Sequence, residues 1–169
     1  VLPVNDPPSF TKGGNQVVNE DAGAQTVLGW AQNISKGPSN ESFQYLTFNV
    51  STNNSALFSV VPTIDSSGTL RYTPAANAFG SATVTVTLQD DGGKNPGYDT
   101  SSVETFTITV NPINDTPSFT KGADQVIENS LGLQTKLNWA TNISNGPSNE
   151  NGQILDFIIT NNSNPSLFS

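Results

Sequence analysis

The side chains of this chain that could do chemistry all act through oxygen. Its 169 residues include 14 Asp and Glu but no His and no Cys, so thiolates, the usual zinc ligands and the commonest general base are missing. No His can activate the many Ser and Thr, and no Gly-x-Ser-x-Gly motif occurs. Asp90 and Asp91 pair in a turn, with no partner acid identifiable across a cleft. We predict that the chain is not an enzyme and that only hard oxygen ligands remain for a metal.

The charge balance narrows the possible partners. Six Lys and Arg against 14 acids give a net charge of −8 and a pI near 4.1, which disfavours nucleic acid and favours cations. No window approaches the roughly 18 apolar residues that span a bilayer, so we expect no direct membrane insertion. No basic segment followed by an apolar one resembles a signal peptide, so an export signal is expected outside this sequence.

The chain repeats itself with a period of 109 residues. "VLPVNDPPSFTKG" at Val1 returns as "VNPINDTPSFTKG" at Val110, and this spacing also relates Phe10 to Phe119 and Trp30 to Trp139. We therefore predict that residues 1–3 end a preceding repeat, 4–112 form a complete repeat and 113–169 form the first half of the next. The chain is interpreted as a piece of a longer tandem array.

Alternation of apolar residues and Thr dominates the complete repeat and predicts half-buried antiparallel strands. About seven strands in about 109 residues match the size of an immunoglobulin-like sandwich. The predicted strands contain "QVVN", "TVLGW", "QYLTFNV", "ALFSV", "TLRYT", "ATVTVTLQD" and "ETFTITV", with turns at "SSG", "NAFG" and "DDGGKNPG". The predicted core is Trp30, Leu46, Phe48, Leu70, Tyr72, Val84, Val86, Leu88, Phe106 and Ile108. The predicted fold is all-β, an Ig-like Greek-key sandwich in tandem.

The two copies also predict which side chains face inward. Leu28 and Trp30 are kept as Leu137 and Trp139, whereas the neighbours between and before them change. We therefore expect Leu28 and Trp30 to point into the core. The alternative for Trp30 is a platform for stacking sugars, and its identity in both copies favours the core.

Three segments carry a family resemblance. "VTVTLQDDGG" from Val84, the strand "ETFTITV" and the linker "NPINDTPSF" resemble the end of a cadherin repeat. "GTLRYTPAANAFGSATVTVTLQDDGG" is similar to the bacterial cadherin-like and Ig-like repeats found in tandem in large surface proteins and adhesins. The likeness extends over the complete repeat and the half repeat.

The resemblance implies calcium at the repeat junctions, where cadherins bind it. Calcium takes six to eight oxygen ligands, several of them carboxylates. The positions that match are Glu20 after the first strand, Asp90 and Asp91 before the last, and Asn114 and Asp115 in the linker. The linker's leading acid is replaced by Pro112, and "TPAAN" stands where the family has an Asp-Arg-Glu segment. The alternative for Asp115 is a turn cap, and for Asp90 and Asp91 an Asp-Gly hairpin corner.

One loop is identical in the two copies. "GPSNE" occurs at Gly37 and at Gly146. A turn in which Asn40 and Glu41 bond the backbone is favoured over a ligand site. The Asn-x-Ser sequences at Asn33 and Asn142 meet the glycosylation pattern, which chance explains in a chain rich in Asn and Ser.

Two classes of function fit these observations. The first is a structural extender, an exported repeat in the stalk or filament of a cell-surface adhesin, whose partners are neighbouring repeats or copies of the same protein. The linker from Asn114 to Pro117 is then expected to join repeats end to end into an elongated array. The alternative is a module that binds a glycan or a surface protein through its end loops. Few aromatic residues lie outside the strands, with Tyr98 the main exception, and this favours the extender.

The second copy lacks counterparts of three predicted strands. Residues 113–169 hold no equivalent of "TLRYT", "ATVTVTL" or "ETFTITV". We expect Leu137, Trp139, Leu155, Phe157 and Ile159 to expose an apolar face unless something covers it. Either the native chain continues or a neighbouring molecule supplies the strands.

Overall fold

Nine strands form the first repeat in a computed structural model that describes residues 4–93, 98–128 and 131–167. They are β1 Ser9–Thr11, β2 Gln16–Asn19, β3 Gln25–Val27, β4 Gln32–Ser35, β5 Leu46–Thr52, β6 Phe58–Ile64, β7 Leu70–Pro74, β8 Gly80–Asp90 and β9 Glu104–Asn111. Short 3₁₀ turns occur at Ser39–Glu41 and Ser55–Leu57. By its contacts the chain divides into two units, Val1–Ile113 and Asn114–Ser169, here called unit 1 and unit 2.

Unit 1 is a two-layer sandwich. One sheet has the order β2-β9-β8-β5 and the other β3-β7-β6, while β1 and β4 form a separate antiparallel pair. Pairing is antiparallel except between β2 and β9, which run parallel. The chain passes between the layers from β2 to β3, from β5 to β6 and from β7 to β8. The all-β, Ig-like sandwich is confirmed, and each of the seven predicted segments overlaps a strand.

Two short strands, β1 and β4, were not among the predicted ones. They have three and four residues and pair only at Ser9 with Ser35 and Thr11 with Gln32, with a register shift between. Segments of three or four residues contain too few alternating apolar and polar positions for a strand to be predicted from the sequence. The predicted end of a preceding repeat at residues 1–3, and residues 94–97 of the predicted "DDGGKNPG" turn, lie outside the described residues.

The core lies between the two sheets and follows the predicted alternation. On β8, Val84, Val86 and Leu88 are fully buried, and Ile108 on β9 joins them. The Trp30 ring packs on Phe106, with the ring centroids 4.3 Å apart. Eight of the ten predicted core residues are buried, whereas Leu46 and Phe48 are only half-buried because β5 is the edge strand of its sheet.

The inward orientation predicted for Leu28 is wrong. Its side chain is 78% exposed, as is that of its equivalent Leu137. The reason is a turn directly after β3, where Gly29 has φ +61° and Asn138 in unit 2 has φ +55°. The turn ends the alternation, so Val27 and not Leu28 packs against the core beside Trp30.

The predicted "SSG" turn joins β6 to β7. Asp65 Oδ1 accepts the backbone N–H groups of Ser67 and Thr69, at 3.0 and 3.1 Å, and the Ser67 hydroxyl at 2.5 Å. These bonds, the Ser67 hydroxyl first, hold the pKa of Asp65 below its ordinary value. Gly68, at φ +82°, has no room for a side chain, because a Cβ would lie 2.2 Å from the Ala31 carbonyl oxygen.

Unit 2 repeats part of this architecture. Its strands are β10 Ser118–Thr120 and β11 Thr141–Ser144, followed by 3₁₀ turns at Ser148–Glu150 and Pro165–Leu167. β10 pairs with β11 as β1 does with β4. The described segments equivalent to β2, β3 and β5 are not strands, because in unit 1 those strands pair with β9, β7 and β8. β10 and β11 form strands in unit 2 because each is the pairing partner of the other and both belong to the half repeat.

No helix within residues 4–93, 98–128 and 131–167 is long and apolar enough to cross a bilayer.

Candidate functional site

The identical "GPSNE" loop holds the linker that enters each unit. Glu41 is buried, and its Oε1 accepts the backbone N–H of Asp6 at 2.9 Å. In unit 2, buried Glu150 accepts the N–H of Asp115 at 2.6 Å. The two residues of each pair are 35 positions apart in both units. Of the predicted turn with Asn40 and Glu41 bonding the backbone, the Glu41 part is confirmed, but the backbone that Glu41 bonds belongs to the linker and not to the turn itself.

Gly37 and Gly146 make this geometry possible. Gly37 has φ +111°, and a Cβ there would lie 2.2 Å from Glu41 Oε2. Gly146 has φ +131°, and a Cβ there would lie 2.1 Å from Glu150 Oε2. Only Gly combines this backbone conformation with space for the buried carboxylate. The repetition of "GPSNE" is therefore explained by the contact between its Gly and its Glu.

A buried amide network completes the site in unit 1. The Asn5 side-chain amide donates to Asp90 Oδ1 at 3.1 Å and to the Tyr98 carbonyl at 2.6 Å. Its carbonyl oxygen Oδ1 accepts from Gln44 Nε2 at 2.5 Å. We call Asn5, Asp6, Glu41, Gln44 and Asp90 the N-terminal anchor. Because Asn5, Glu41, Gln44 and Asp90 are all buried, these bonds hold the incoming linker against the sandwich.

Unit 2 keeps part of the same anchor. Gln153, the equivalent of Gln44, donates to Asn114 Oδ1 at 2.8 Å. The amide of Asn114 donates to the Asp115 carbonyl at 3.0 Å instead of to an aspartate. The difference arises because the 169 residues include no equivalent of Asp90 in the second copy.

The outgoing linker is held at the other end of unit 1. Buried Glu20 donates its backbone N–H to the Asn111 carbonyl at 2.9 Å, and its Oε1 accepts the N–H of Ile113 at 2.8 Å. We call Glu20, Asn111 and Ile113 the C-terminal anchor. Hydrogen bonds from N–H groups to a carboxylate are stronger than those between neutral groups, so both linkers are held by charge-assisted bonds.

Three of the five residues predicted as calcium ligands belong to unit 1, namely Glu20, Asp90 and Asp91, and Glu20 does not come together with the two aspartates. β8 runs from Gly80, which pairs with Val110, to Asp90, which pairs with Leu46. Glu20, beside Asn111, is therefore at one end of the sandwich and Asp90 at the other, about 30 Å along the strand. Ligands of one calcium ion must all lie within about 2.6 Å of it. Glu20 and Asp90 of one unit therefore cannot both bind the same calcium ion.

Each predicted carboxylate in unit 1 is already an acceptor of N–H groups. Asp90 Oδ1 accepts the Gly92 N–H at 2.9 Å in addition to Asn5, and Asp91 Oδ1 accepts the Tyr45 N–H at 2.8 Å. The Asp90–Gly92 bond forms the Asp-Gly hairpin corner that the sequence offered as the alternative to a calcium site. Within the described ranges, no group of three or more acidic side chains is arranged to hold a metal ion.

An open cavity of about 380 Å³ lies beside the N-terminal anchor. Its lining includes exposed Tyr45, together with Thr47, Gln89 and Asp91. Two further aromatic side chains are exposed. One is Phe43, which precedes the anchor residue Gln44 in sequence, and the other is Tyr98, whose backbone carbonyl accepts from Asn5. From the sequence only Tyr98 stood out as an aromatic residue outside the strands, because Tyr45 lies at the start of the predicted strand "QYLTFNV".

A Ser-x-x-Lys spacing occurs at Ser9 to Lys12 and again at Ser118 to Lys121. In serine acyl enzymes this motif places both side chains on one face of a helix. Here Ser9 begins strand β1, and Lys12 turns to β9, where its ammonium donates to the Thr105 carbonyl and lies 3.9 Å from the Glu104 carboxylate. The spacing therefore forms no helical Ser–Lys pair.

Comparison with known proteins adds little to this geometry. No family model matches the chain, and no curated protein matches it. One solved structure with a detectable likeness is the solution structure of the PKD domain from KIAA 1837 protein. The alignment covers 64% of this chain and 91% of that domain, at 12% sequence identity and a TM-score of 0.33.

Proposed function

We propose that the complete repeat is a structural extender, a non-catalytic unit of a tandem array in an exported, cell-surface or extracellular protein of the bacterial cadherin-like adhesin type. The observation that supports it most is that buried carboxylates hold the linker on both sides of the unit boundary. Glu20 of unit 1 binds Ile113, and Glu150 of unit 2 binds Asp115. Only Asn114 stands between the two held residues, and its side chain is engaged by Gln153.

This arrangement suits a load-bearing array. A flexible linker would leave consecutive domains to move independently, which is the default expectation between domains. Bonding the linker backbone to buried side chains removes dihedral freedom at the boundary and makes stiffness depend on neighbouring units. The partners in this proposal are the adjacent repeats or copies of the same protein, and neither nucleic acid nor the bilayer is among them.

Small-angle X-ray scattering tests the extender role. We expect chains carrying one, two and three copies of residues 4–112 to increase in maximum dimension linearly. Strand β8 has 11 residues and spans about 36 Å, so each copy should add about 35–45 Å. A maximum dimension that grows only as the cube root of mass would contradict the proposal, because that is the behaviour of a globule.

A binding module is the second candidate, and the cavity beside the N-terminal anchor favours it. Exposed Tyr45 supplies an apolar ring, and Gln89 and Asp91 supply hydrogen-bonding groups, a combination that suits a glycan. This candidate predicts glycan-array binding that Tyr45→Ala abolishes. The extender proposal predicts no such binding and an unchanged scattering profile for the same variant.

Calcium at the repeat junctions stays a prediction of the family resemblance. A ligand that binds only the native state stabilises it by about 2.7 kcal/mol at a hundredfold excess over its Kd. Junction binding therefore requires that millimolar calcium raise the Tm of the full chain by several degrees, and that Asp115→Asn reduce the rise. Magnesium at equal concentration is the control, because it dehydrates reluctantly and demands octahedral geometry. An unchanged Tm would exclude calcium at the junction, while leaving the anchors unaffected.

A further inference from the structure

Strand β5 forms an edge of unit 1 that lacks the usual protection. Proteins protect exposed strand edges with short strands, charged residues, Pro or bulges, because such edges are templates for pairing. Among the other edge strands of the two sheets, β2 has four residues, β3 has three, and β6 has seven but contains Pro62 and two shifts of register. β5 has seven residues with neither Pro nor charge, and it pairs with β8 in one uninterrupted register. This edge can therefore accept a further strand.

Hydrogen bonds at the two ends of β5 show which of its backbone groups face the open edge. Just after the strand, Asn53 donates its N–H to the Thr83 carbonyl at 3.1 Å. Just before it, Tyr45 donates its N–H to Oδ1 of Asp91, which follows β8, at 2.8 Å. Because backbone groups alternate in direction along a strand, the odd-numbered residues bond toward β8. The residues whose backbone groups point to the open edge are Leu46, Phe48, Val50 and Thr52.

These four positions are symmetric about Asn49. We consider a second β5 that lies antiparallel to the first, with the twofold axis at Asn49. Phe48 then lies opposite Val50 of the second copy, and Leu46 lies opposite Thr52 of that copy. Every N–H and C=O of the open edge gains a partner, in about eight hydrogen bonds, two for each of the four residue pairs. An axis at Phe48 or at Val50 would leave part of the edge unpaired, so the backbone favours the axis at Asn49.

The side chains of β5 agree with the same register. Phe48 opposite Val50 is a pair of an aromatic and a β-branched residue, a combination that stabilises neighbouring strands. On the other face, exposed Thr47 meets Ser51 of the second copy, and Asn49 meets its own equivalent. No like charges meet within β5, although the chain as a whole has a net charge of −8. The strand is therefore self-complementary in its backbone groups, its side chains and its charge.

We infer that β5 is a homotypic interface, through which unit 1 pairs edge to edge with a second copy of itself and joins the two four-stranded sheets into one. A twofold contact uses the same surface on both copies and closes at the dimer, because each β5 then has a neighbour on both sides. A strand of another protein would also pair with the open groups, but the symmetry about Asn49 favours an identical strand. The inference concerns unit 1 alone and does not depend on the extender role.

Hydrogen exchange on the full chain, resolved by residue with NMR, tests the inference. As the chain concentration rises to about 1 mM, we expect the amides of Leu46, Phe48, Val50 and Thr52 to exchange about fivefold more slowly. The odd-numbered amides of β5 should not change, because they already bond toward β8. Association through side chains alone would not produce this alternation.

Charge at Asn49 tests the register, because the twofold axis places this residue opposite its own equivalent. Asn49→Lys and Asn49→Asp each bring like charges together on an exposed face, so each should weaken dimerisation about threefold or more in sedimentation equilibrium at about 0.1 M salt. An equimolar mixture of the two variants should restore dimerisation, since opposite charges then meet. Thr87→Lys is the matched control and should leave dimerisation unchanged. Thr87 pairs with Asn49 from β8, and its charge would lie about 14 Å from that of the second copy, beyond the Debye length.

Three results would overturn the inference. The first is a weight-average mass that stays at 17.8 kDa up to about 1 mM. The second is association that Thr87→Lys weakens as much as Asn49→Lys does, or that leaves the even-numbered amides of β5 unprotected, since the contact would then lie elsewhere on the chain. The third is an equimolar mixture of the two Asn49 variants that associates no better than either variant alone, because the axis would then not pass through Asn49.

Discussion

Trp30→Ala is expected to lower the free energy of unfolding of unit 1 by about 4 kcal/mol. The indole is buried against Phe106 at 4.3 Å, and its N–H is satisfied by the Gly14 carbonyl at 3.0 Å. Removing it leaves a large cavity between the sheets, while the Gly14 carbonyl keeps the bond that it accepts from Gln16 Nε2 at 2.9 Å. The backbone of Gly13 packs closely on the indole, because a Cβ added there would lie 2.6 Å from the Trp30 ring.

Trp139→Ala is the matched control for this variant. The same residue in the equivalent position keeps its N–H bond but lies partly exposed, with no ring partner corresponding to Phe106. We expect the unit 1 transition, followed by circular dichroism in urea, to shift for Trp30→Ala and to stay within about 0.5 kcal/mol for Trp139→Ala. Equal losses in the two variants would show that the loss of stability is not specific to the packing of Trp30 within unit 1, and this result would contradict the prediction.

The alternation of Val and Thr explains why the strands could be predicted. "TVTVT" on β8 places every apolar residue on one face, and no helical arrangement accommodates that pattern. The same reasoning failed for Leu28. The left-handed residue Gly29 changes the direction of the side chain that follows it, so Leu28 and Trp30 do not lie on the same face. A signal for that turn was present, because position 29 is Gly in one copy and its equivalent 138 is Asn, and both tolerate positive φ.

The anchors were only partly predictable. "GPSNE" indicated a turn with a backbone-bonding Glu, but the group that Glu41 bonds lies 35 residues away, and nothing local in the sequence specifies it. The separation of the predicted calcium ligands could have been deduced. β8 and β9 are neighbouring antiparallel strands, so Asp90 at the end of β8 and the linker at the end of β9 must lie at opposite ends of the sheet.

Gly37→Ala is expected to destabilise unit 1 by about 3 kcal/mol. Part of the loss is backbone strain at φ +111°, and the rest is displacement of the Glu41 carboxylate, whose Oε2 would lie 2.2 Å from the new methyl group. Glu41 is flexible in principle, but here it is buried and bonded to the Asp6 N–H, so moving it breaks a charge-assisted bond. In hydrogen exchange, the amide of Asp6 should lose protection before the strands do.

Two comparisons separate strain from loss of the anchor. Gly23→Ala introduces a methyl group at φ +72° with no atom within 4 Å, so it carries strain alone and should cost about 1 kcal/mol. In a Glu41→Ala background the clash is absent, and the cost of Gly37→Ala should then fall to that of the backbone strain at φ +111° alone. If the Gly37→Ala loss were the same with and without Glu41, the carboxylate would play no part in requiring this Gly. The repeated "GPSNE" would then reflect turn geometry alone, and the linker would have to be held by the Asn5 network without Glu41.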